Sequence, residues 1–305
     1  MGSPAIYKDL LFVPTGNGVD ADHPGAVKVR ALEAPSLVCL NKRTGKVVWK
    51  DNSPGKEGYG GNHASPLIVD IAGKVQVIHP QADGWVRSFE ALTGKLVWKF
   101  DSNRKEAKWD WLDNQGTARH VVGATPVYAE KYVYFGAGRE AEFSLLPGRL
   151  FCVDPTKVGD ISSELEDGKG KGKPNPNSGL VWDYTKVGDK PTEVMFQTTS
   201  SVAVYSGLVI ALDRAGSVHC LDAKTGKRYW THDTRSAQLG DPLVADGKVY
   251  VANEGGIVTI LELSKVPKVV AKHECDSIML APPVFANGTL YVLAHNRLFA
   301  IGGKK

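Results

Sequence analysis

The residues of this 305-residue chain best suited to chemistry stand in short glycine-rich or aromatic stretches. Asn62 and His63 close Gly58-Tyr-Gly-Gly-Asn-His63, and Trp109, Arg119 and His120 belong to Lys108-Trp-Asp-Trp-Leu-Asp-Asn-Gln-Gly-Thr-Ala-Arg-His120. Asp83 with Trp85, Arg139, Asp213 with Arg214, Glu254, and His295 with Arg297 occupy shorter runs between apolar segments. Guanidinium planes at Arg119, Arg139, Arg214 and Arg297 suit carboxylates, and the indoles of Trp85 and Trp109 suit a planar partner. As a set they predict a pocket for an anionic or planar ligand. Taken one by one, the same side chains read equally as loop caps that satisfy one another, Trp85 above all, since it begins a strand.

Signatures of catalysis are missing. There is no Gly-x-Ser-x-Gly elbow, no His-Glu-x-x-His and no phosphate loop. Thr15-Gly-Asn-Gly18 follows a strand but leads into a polar loop instead of a helix, so a dinucleotide reading fails its context. Asp20 and Asp22 could hold a cation, although Asp-x-Asp alone is more often a turn. No catalytic residue and no metal site is assigned.

The elements that position these residues come from a repeat. Asn41-Lys-Arg-Thr-Gly-Lys-Val-Val-Trp49, Glu90-Ala-Leu-Thr-Gly-Lys-Leu-Val-Trp98 and Asp222-Ala-Lys-Thr-Gly-Lys-Arg-Tyr-Trp230 are copies of one phrase. Each reads as a β-hairpin: a strand ends on an acid or amide, Thr-Gly-Lys reverses the chain with glycine free to take positive φ, and a strand carrying Trp returns. A second strand pair precedes each hairpin, as in residues 201–205 and 208–212, which makes four antiparallel strands per unit. Six units follow, over roughly 3–52, 64–102, 124–185, 199–234, 241–274 and 281–303. The third hairpin is delayed by a Gly/Lys/Pro/Asn-rich insertion from about Val158 to Ser178. The fifth lacks both Thr-Gly-Lys and Trp, and the sixth ends before its outer strand.

The predicted fold is therefore all-β, a single β-propeller domain of four-stranded blades over residues 1–305, because radial packing buries both faces of each sheet. A β-solenoid would repeat in about 20 to 30 residues or fewer, much shorter than the Trp49 to Trp98 step. Residues 1–3 are too short to supply the strand missing from the sixth unit, so a segment of a longer propeller is expected, with a complete six-bladed ring as the alternative. Binding residues should ring the central funnel, where loops join strands two and three or one blade to the next.

The Leu-x-x-Leu-Asp-Ala-x-Thr-Gly-Lys-x-x-Trp hairpin resembles the repeat of pyrroloquinoline-quinone-type (PQQ-like) propellers, which include quinoprotein alcohol dehydrogenases and the lipoprotein propeller of the bacterial outer-membrane assembly machine. Stretches such as Asp51-Asn-Ser-Pro-Gly and Lys173-Pro-Asn-Pro-Asn-Ser-Gly-Leu-Val-Trp182 resemble uncharacterised PQQ-like repeat proteins of planctomycete-type bacteria. The resemblance implies export to the periplasm and a choice of two functions. One is a noncatalytic binding or scaffolding module for an envelope protein or a small ligand. The other is a PQQ-dependent dehydrogenase of alcohols or sugars, with calcium beside the quinone. Its usual adjacent Cys-Cys pair is absent here, and no Glu, Asn and Asp metal set carries over residue by residue.

Composition fits a globular chain: 42% hydrophobic, 23% charged, with a mild net charge of +4. No apolar run approaches a membrane span, and nothing supports nucleic-acid binding. Cys39, Cys152 and Cys220 each stand two residues before the acid or amide of a turn, so ring geometry should separate them. They read as small core residues, with Cys275 in a loop.

Overall fold

The computed structural model describes residues 2–20, 28–29, 31–57, 62–108, 119–138, 146–190 and 192–302. Each repeat phrase closes an antiparallel sheet whose strands follow chain order. The first sheet holds Ala5–Tyr7, Leu10–Pro14, Leu37–Asn41 and Val47–Asp51; the second Leu67–Ile71, Lys74–Pro80, Trp85–Glu90 and Leu96–Asp101. The third holds Val127–Ala129, Tyr132–Ala137, Arg149–Val153 and Leu180–Tyr184, and the fourth Ala203–Tyr205, Leu208–Leu212, Ser217–Asp222 and Arg228–Asp233. Leu243–Ala245, Lys248–Ala252, Ile257–Glu262 and Val269–Glu274 form the fifth. The sixth has three strands, Val284–Ala286, Thr289–Ala294 and Arg297–Gly302. Among the described residues the helical element is a single 3-10 turn, Gly55–Glu57.

The first strand of each sheet lies against the first strand of the next, from sheet one to sheet six. Successive sheets share apolar cores: Phe12, Leu37 and Phe89 between the first two, Phe100, Phe135 and Ile161 between the second and third, and Val258, Met279 and Val292 between the fifth and sixth. The arrangement is all-β and propeller-like.

Local chemistry explains the hairpins. Asn41 Oδ1 accepts from the backbone N–H of Arg43 and Thr44, both at 3.0 Å, and Asp222 Oδ1 does the same for Lys224 and Thr225. These side chains hold the turn while glycine takes the left-handed conformation, φ +72° at Gly94 and +69° at Gly226. A second demand falls on the same glycines. Trp49 crosses to the second sheet and donates its Nε1–H to Ala91 O at 3.0 Å, and a Cβ on Gly94 would stand 2.6 Å from its Cδ2. Trp182 repeats this on Ala223 and Gly226, and Trp230 donates to Ser264 O at 2.9 Å.

Within its own sheet each Trp faces a small residue across the ladder: Cys39 opposite Trp49, Ser88 opposite Trp98, Cys152 opposite Trp182 and Cys220 opposite Trp230. A bulge follows at the same place every time. In the fifth sheet the sizes are exchanged, with Ile260 opposite Ala271. The three strand cysteines are thus packing residues. Burial pushes their thiols up, to about 11 for Cys39 and about 12 for Cys152 and Cys220.

The insertion after residue 158 does more than delay a strand. Gly159–Asp160 adds in parallel to Leu96–Asp101, giving the second sheet a fifth strand, and Glu164–Glu166 pairs with Gly172–Pro174. Ile161 drops into the core between the second and third sheets. Trp98 donates its Nε1–H to Gln76 Oε1 in its own sheet, at 3.2 Å.

Candidate functional site

The best-formed polar site lies where the second sheet meets the first. Trp85 and Arg87 alternate onto the same face of their strand, and Asp101 and Lys99 stand opposite them on the outer strand. Gln81, at the start of the preceding turn, reaches the first sheet: its Nε2 donates to Ser36 Oγ at 3.0 Å and to Asp51 Oδ2 at 2.6 Å. The cleft beneath encloses about 650 Å³. Ser53 and Pro54 of the first unit, Lys105, Lys108 and Arg119 of the connection after the second sheet, and Asp160 and Glu166 of the insertion complete its lining.

Every aspartate of the cleft is engaged. Arg87 grips Asp83 with both guanidinium nitrogens, Nη1–Oδ1 3.0 Å and Nη2–Oδ2 2.6 Å, with the two side chains 8% and 5% exposed. Asp101 carries two cations, Arg119 Nη2 at 2.9 Å and Lys105 Nζ at 3.0 Å. Asp160 is 3.7 Å from Lys99 Nζ. The ammonium groups of Lys99 and Lys105 lie 4.6 and 4.5 Å from the Trp85 ring centre, and the Arg87 guanidinium carbon 5.5 Å from it. Indole attracts cations through its negative face, so like charges gather on one ring. Five cations and four carboxylates line the cleft. Behind it, buried His79 pairs in register with Arg87. Burial first, then the Arg87 charge, pushes its imidazole down to about 3.

Of the residues singled out from sequence, Asp83, Trp85 and Arg119 come together here, outside the six first strands, between two sheets and toward their outer edges. The others are dispersed. Asn62 is buried, donating through Nδ2 to Thr15 O, Ser36 O and Ser36 Oγ, and His63 beside it is exposed. His120 is tied to Asn103 through its backbone and lines a second cavity of about 1000 Å³. Arg214 pairs with Glu254 at 2.6 Å across the fourth and fifth sheets. Asp213 is buried against His219, with Nε2 to Oδ2 2.9 Å, and His219 Nδ1 stands 3.2 Å from the Tyr184 hydroxyl. His295 and Arg297 are exposed at the last hairpin. Trp109 and Arg139, like Asp22, lie outside the described residues.

Sequence reasoning missed Arg87, Lys99, Lys105 and Asp101. A signal existed for the first two, since charged residues at inward positions of strands must find partners. Asp160 and Glu166 had none, because only the returning insertion brings them across.

A family model matches most of the chain. The family described as Outer membrane protein assembly factor BamB matches residues 3–157 and 173–266. Tetrathionate hydrolase of Acidithiobacillus ferrooxidans is 22% identical over 241 residues, covering 76% of this chain and 40% of that protein. The chain thus spans well under half the length of this curated relative. The crystal structure of BamB from Moraxella catarrhalis matches 97% of this chain and 70% of its own with a TM-score of 0.63 at 17% identity. Quinohemoprotein alcohol dehydrogenase from Comamonas testosteroni matches 97% of this chain and 52% of its own with a TM-score of 0.60 at 14% identity. At these identities the two structures speak for the fold alone.

Proposed function

Because the chain belongs to the family described as Outer membrane protein assembly factor BamB, and is a PQQ-like repeat protein, we propose that it is a noncatalytic binding and scaffolding module of the bacterial cell envelope. In this reading the six sheets are six blades of one propeller domain, exported to the periplasm. The cleft at Trp85 takes an anionic group, carried by a small ligand or by an acidic segment of an envelope protein. The observation that carries it is the charge arrangement: Asp101 is shared by Lys105 and Arg119, Lys99 is held only at 3.7 Å, and the two ammonium groups sit on one indole. An anion entering between them meets positive charge that the protein's own carboxylates do not fully offset.

The second reading is a PQQ-dependent dehydrogenase, favoured by the likeness to the Comamonas testosteroni enzyme. The cleft does not fit that group. A calcium site needs carboxylates free to ligate, and a general base needs one free to take a proton. Asp83 and Asp101 are bound to Arg or Lys and Asp160 lies 3.7 Å from Lys99, so that of the four lining carboxylates Glu166 alone is outside an ion pair among the described residues, too few to ligate a metal. No group of three acidic, His or Cys residues arranged for a metal occurs among the described residues. No step through a quinone is derived.

The test is a calorimetric titration with citrate, repeated on a Lys99→Ala/Lys105→Ala variant, beside a titration with PQQ and calcium followed by Trp fluorescence and dye reduction. Saturable citrate binding that weakens about tenfold or more in the variant, at unchanged melting temperature, supports the binding reading. Metal-dependent PQQ binding with dye reduction on an alcohol replaces it with the dehydrogenase.

A further inference from the structure

Building on the reading of the Trp85 cleft as an anion site, and resting on it, we propose that the partner is an extended acidic segment of a protein. It lays one carboxylate in the cleft and its following ones against Lys169, Lys171 and Lys173 of the insertion hairpin. Register makes that hairpin two-faced: Glu164 stands opposite Pro174, Leu165 opposite Lys173 and Glu166 opposite Gly172. Side chains alternate along a strand, so Glu164 and Glu166 share one face with Gly172, and Lys171 and Lys173 take the other. The acidic face is turned to the body of the molecule, where Glu166 lines the Trp85 cleft and Glu164 the second cavity. Asp160 is drawn in as well, 3.7 Å from Lys99. Lys169, Lys171 and Lys173 are exposed and enter no ion pair among the described residues. Lys171 and Lys173 flank Gly172, the ladder partner of Glu166, and so stand at the rim of the cleft.

The lysines are held on a rigid frame. Asp167 Oδ1 accepts the backbone N–H of Lys169 at 2.7 Å and of Lys171 at 3.0 Å, and Gly172 donates its N–H to Glu106 Oε1 at 2.9 Å. Asn175 Nδ2 donates to Asp160 O at 3.0 Å and Ser162 O at 2.8 Å, so the hairpin is ordered before a guest arrives. Glycine alternates with lysine from Gly168 to Lys173, which leaves ammonium groups as the only side chains of the tip. Lysines at every second residue suit carboxylates at every second residue of an extended chain. Recessed cations favour a chain over a flat surface: the Lys105 and Arg119 side chains are 10% and 13% exposed, so a bilayer would meet the hairpin and miss the cleft. Glu166 favours a peptide over a polyphosphate or a nucleic-acid backbone. It lines the cleft outside any ion pair among the described residues. A peptide brings it N–H donors along with carboxylates for the lysines, whereas a phosphate chain brings acceptors alone.

The test uses the whole chain and a fluorescent peptide of about eight residues that alternates aspartate with serine, beside the same peptide with asparagine for aspartate. Anisotropy should show saturable binding of the acidic peptide, preferred over its amide control by about tenfold or more. Lys169→Ser/Lys171→Ser/Lys173→Ser should weaken the acidic peptide about tenfold, chiefly by slowing association, and should flatten its salt dependence. Citrate affinity and melting temperature should be unchanged in that variant, whereas Lys99→Ala/Lys105→Ala should weaken peptide and citrate together. Citrate binding without peptide binding, or peptide binding indifferent to the hairpin variant, overturns the proposal and leaves the cleft as an anion site. Absence of both citrate and peptide binding in the native protein overturns both. Binding to vesicles of phosphatidylglycerol and phosphatidylcholine that the hairpin variant abolishes, with no binding of the peptide, overturns the choice of partner in favour of a membrane surface.

Discussion

Trp182 of the third sheet donates its indole N–H to the carbonyl of Ala223 in the fourth at 3.0 Å, across 41 residues of chain. The same bond joins Trp49 to Ala91 and Trp230 to Ser264, so in the first, third and fourth units one side chain ties its sheet to the next. Packing and hydrogen bonding act at one point. Trp182→Ala should therefore destabilise by about 3 to 5 kcal/mol in urea unfolding, as expected for a large core truncation. Trp182→Phe, which keeps an aromatic ring and loses the donor, should cost less. Gly226→Ala should be destabilising as well, since its Cβ meets the Trp182 ring and its φ is +69°.

His79 makes stability depend on pH. It is fully buried, neither ring nitrogen has a partner, and its imidazole is pushed down to about 3 from an ordinary 6.5. The unfolded chain takes up a proton at a pH where the folded chain refuses it. The His79 contribution is therefore undiminished above about pH 6.5 and is lost as pH falls toward 3, at up to about 1.4 kcal/mol per pH unit. Urea unfolding at pH 7, 5 and 4 should show a steeper decline in the native protein than in His79→Leu. Parallel curves would refute the assignment.

The Arg87–Asp83 pair should be costly to break and cheap to replace. Both side chains are almost wholly buried, so Asp83→Ala leaves a guanidinium with one acceptor, Gln81 Oε1 at 2.5 Å, and should lose about 3 to 5 kcal/mol. Removing both charges in Asp83→Leu/Arg87→Met should recover much of that loss. A double-mutant cycle by chemical denaturation measures it.

Thiol chemistry separates the cysteines. Burial pushes all four thiols up, but Cys39, Cys152 and Cys220 are buried whereas Cys275 is partly exposed and so within reach of a reagent. Brief iodoacetamide treatment at pH 8 should alkylate Cys275 alone in the native protein and all four after denaturation, as read by mass spectrometry.

Much of the fold was legible because the repeat phrase carries its own local physics. Thr-Gly-Lys after an acid or amide makes a turn whatever surrounds it, and alternating apolar residues make half-buried strands. The site was less legible. Asp83 and Trp85 could be picked out because a turn and an indole beside it are visible in one dimension. Arg87 and Lys99 carry only the signal of charge at inward strand positions, and the residue that pairs with Lys99, Asp160, arrives from 61 positions away. Asp213 and Asn62, chosen for their polarity, satisfy buried partners and line no part of the cleft.

By itself the sequence determined the hairpins, the four-stranded antiparallel unit and the burial of Cys39, Cys152 and Cys220 two residues before their turns, since all depend on contacts within a few residues or one ladder. Only the tertiary structure decided that Trp49, Trp182 and Trp230 reach the neighbouring sheet, that the insertion becomes the fifth strand of the second sheet, and that a charged cleft forms away from the first strands. Those outcomes depend on which faces meet once sheets stack side by side, and a one-dimensional pattern holds the period of a strand but not the identity of what lies across from it.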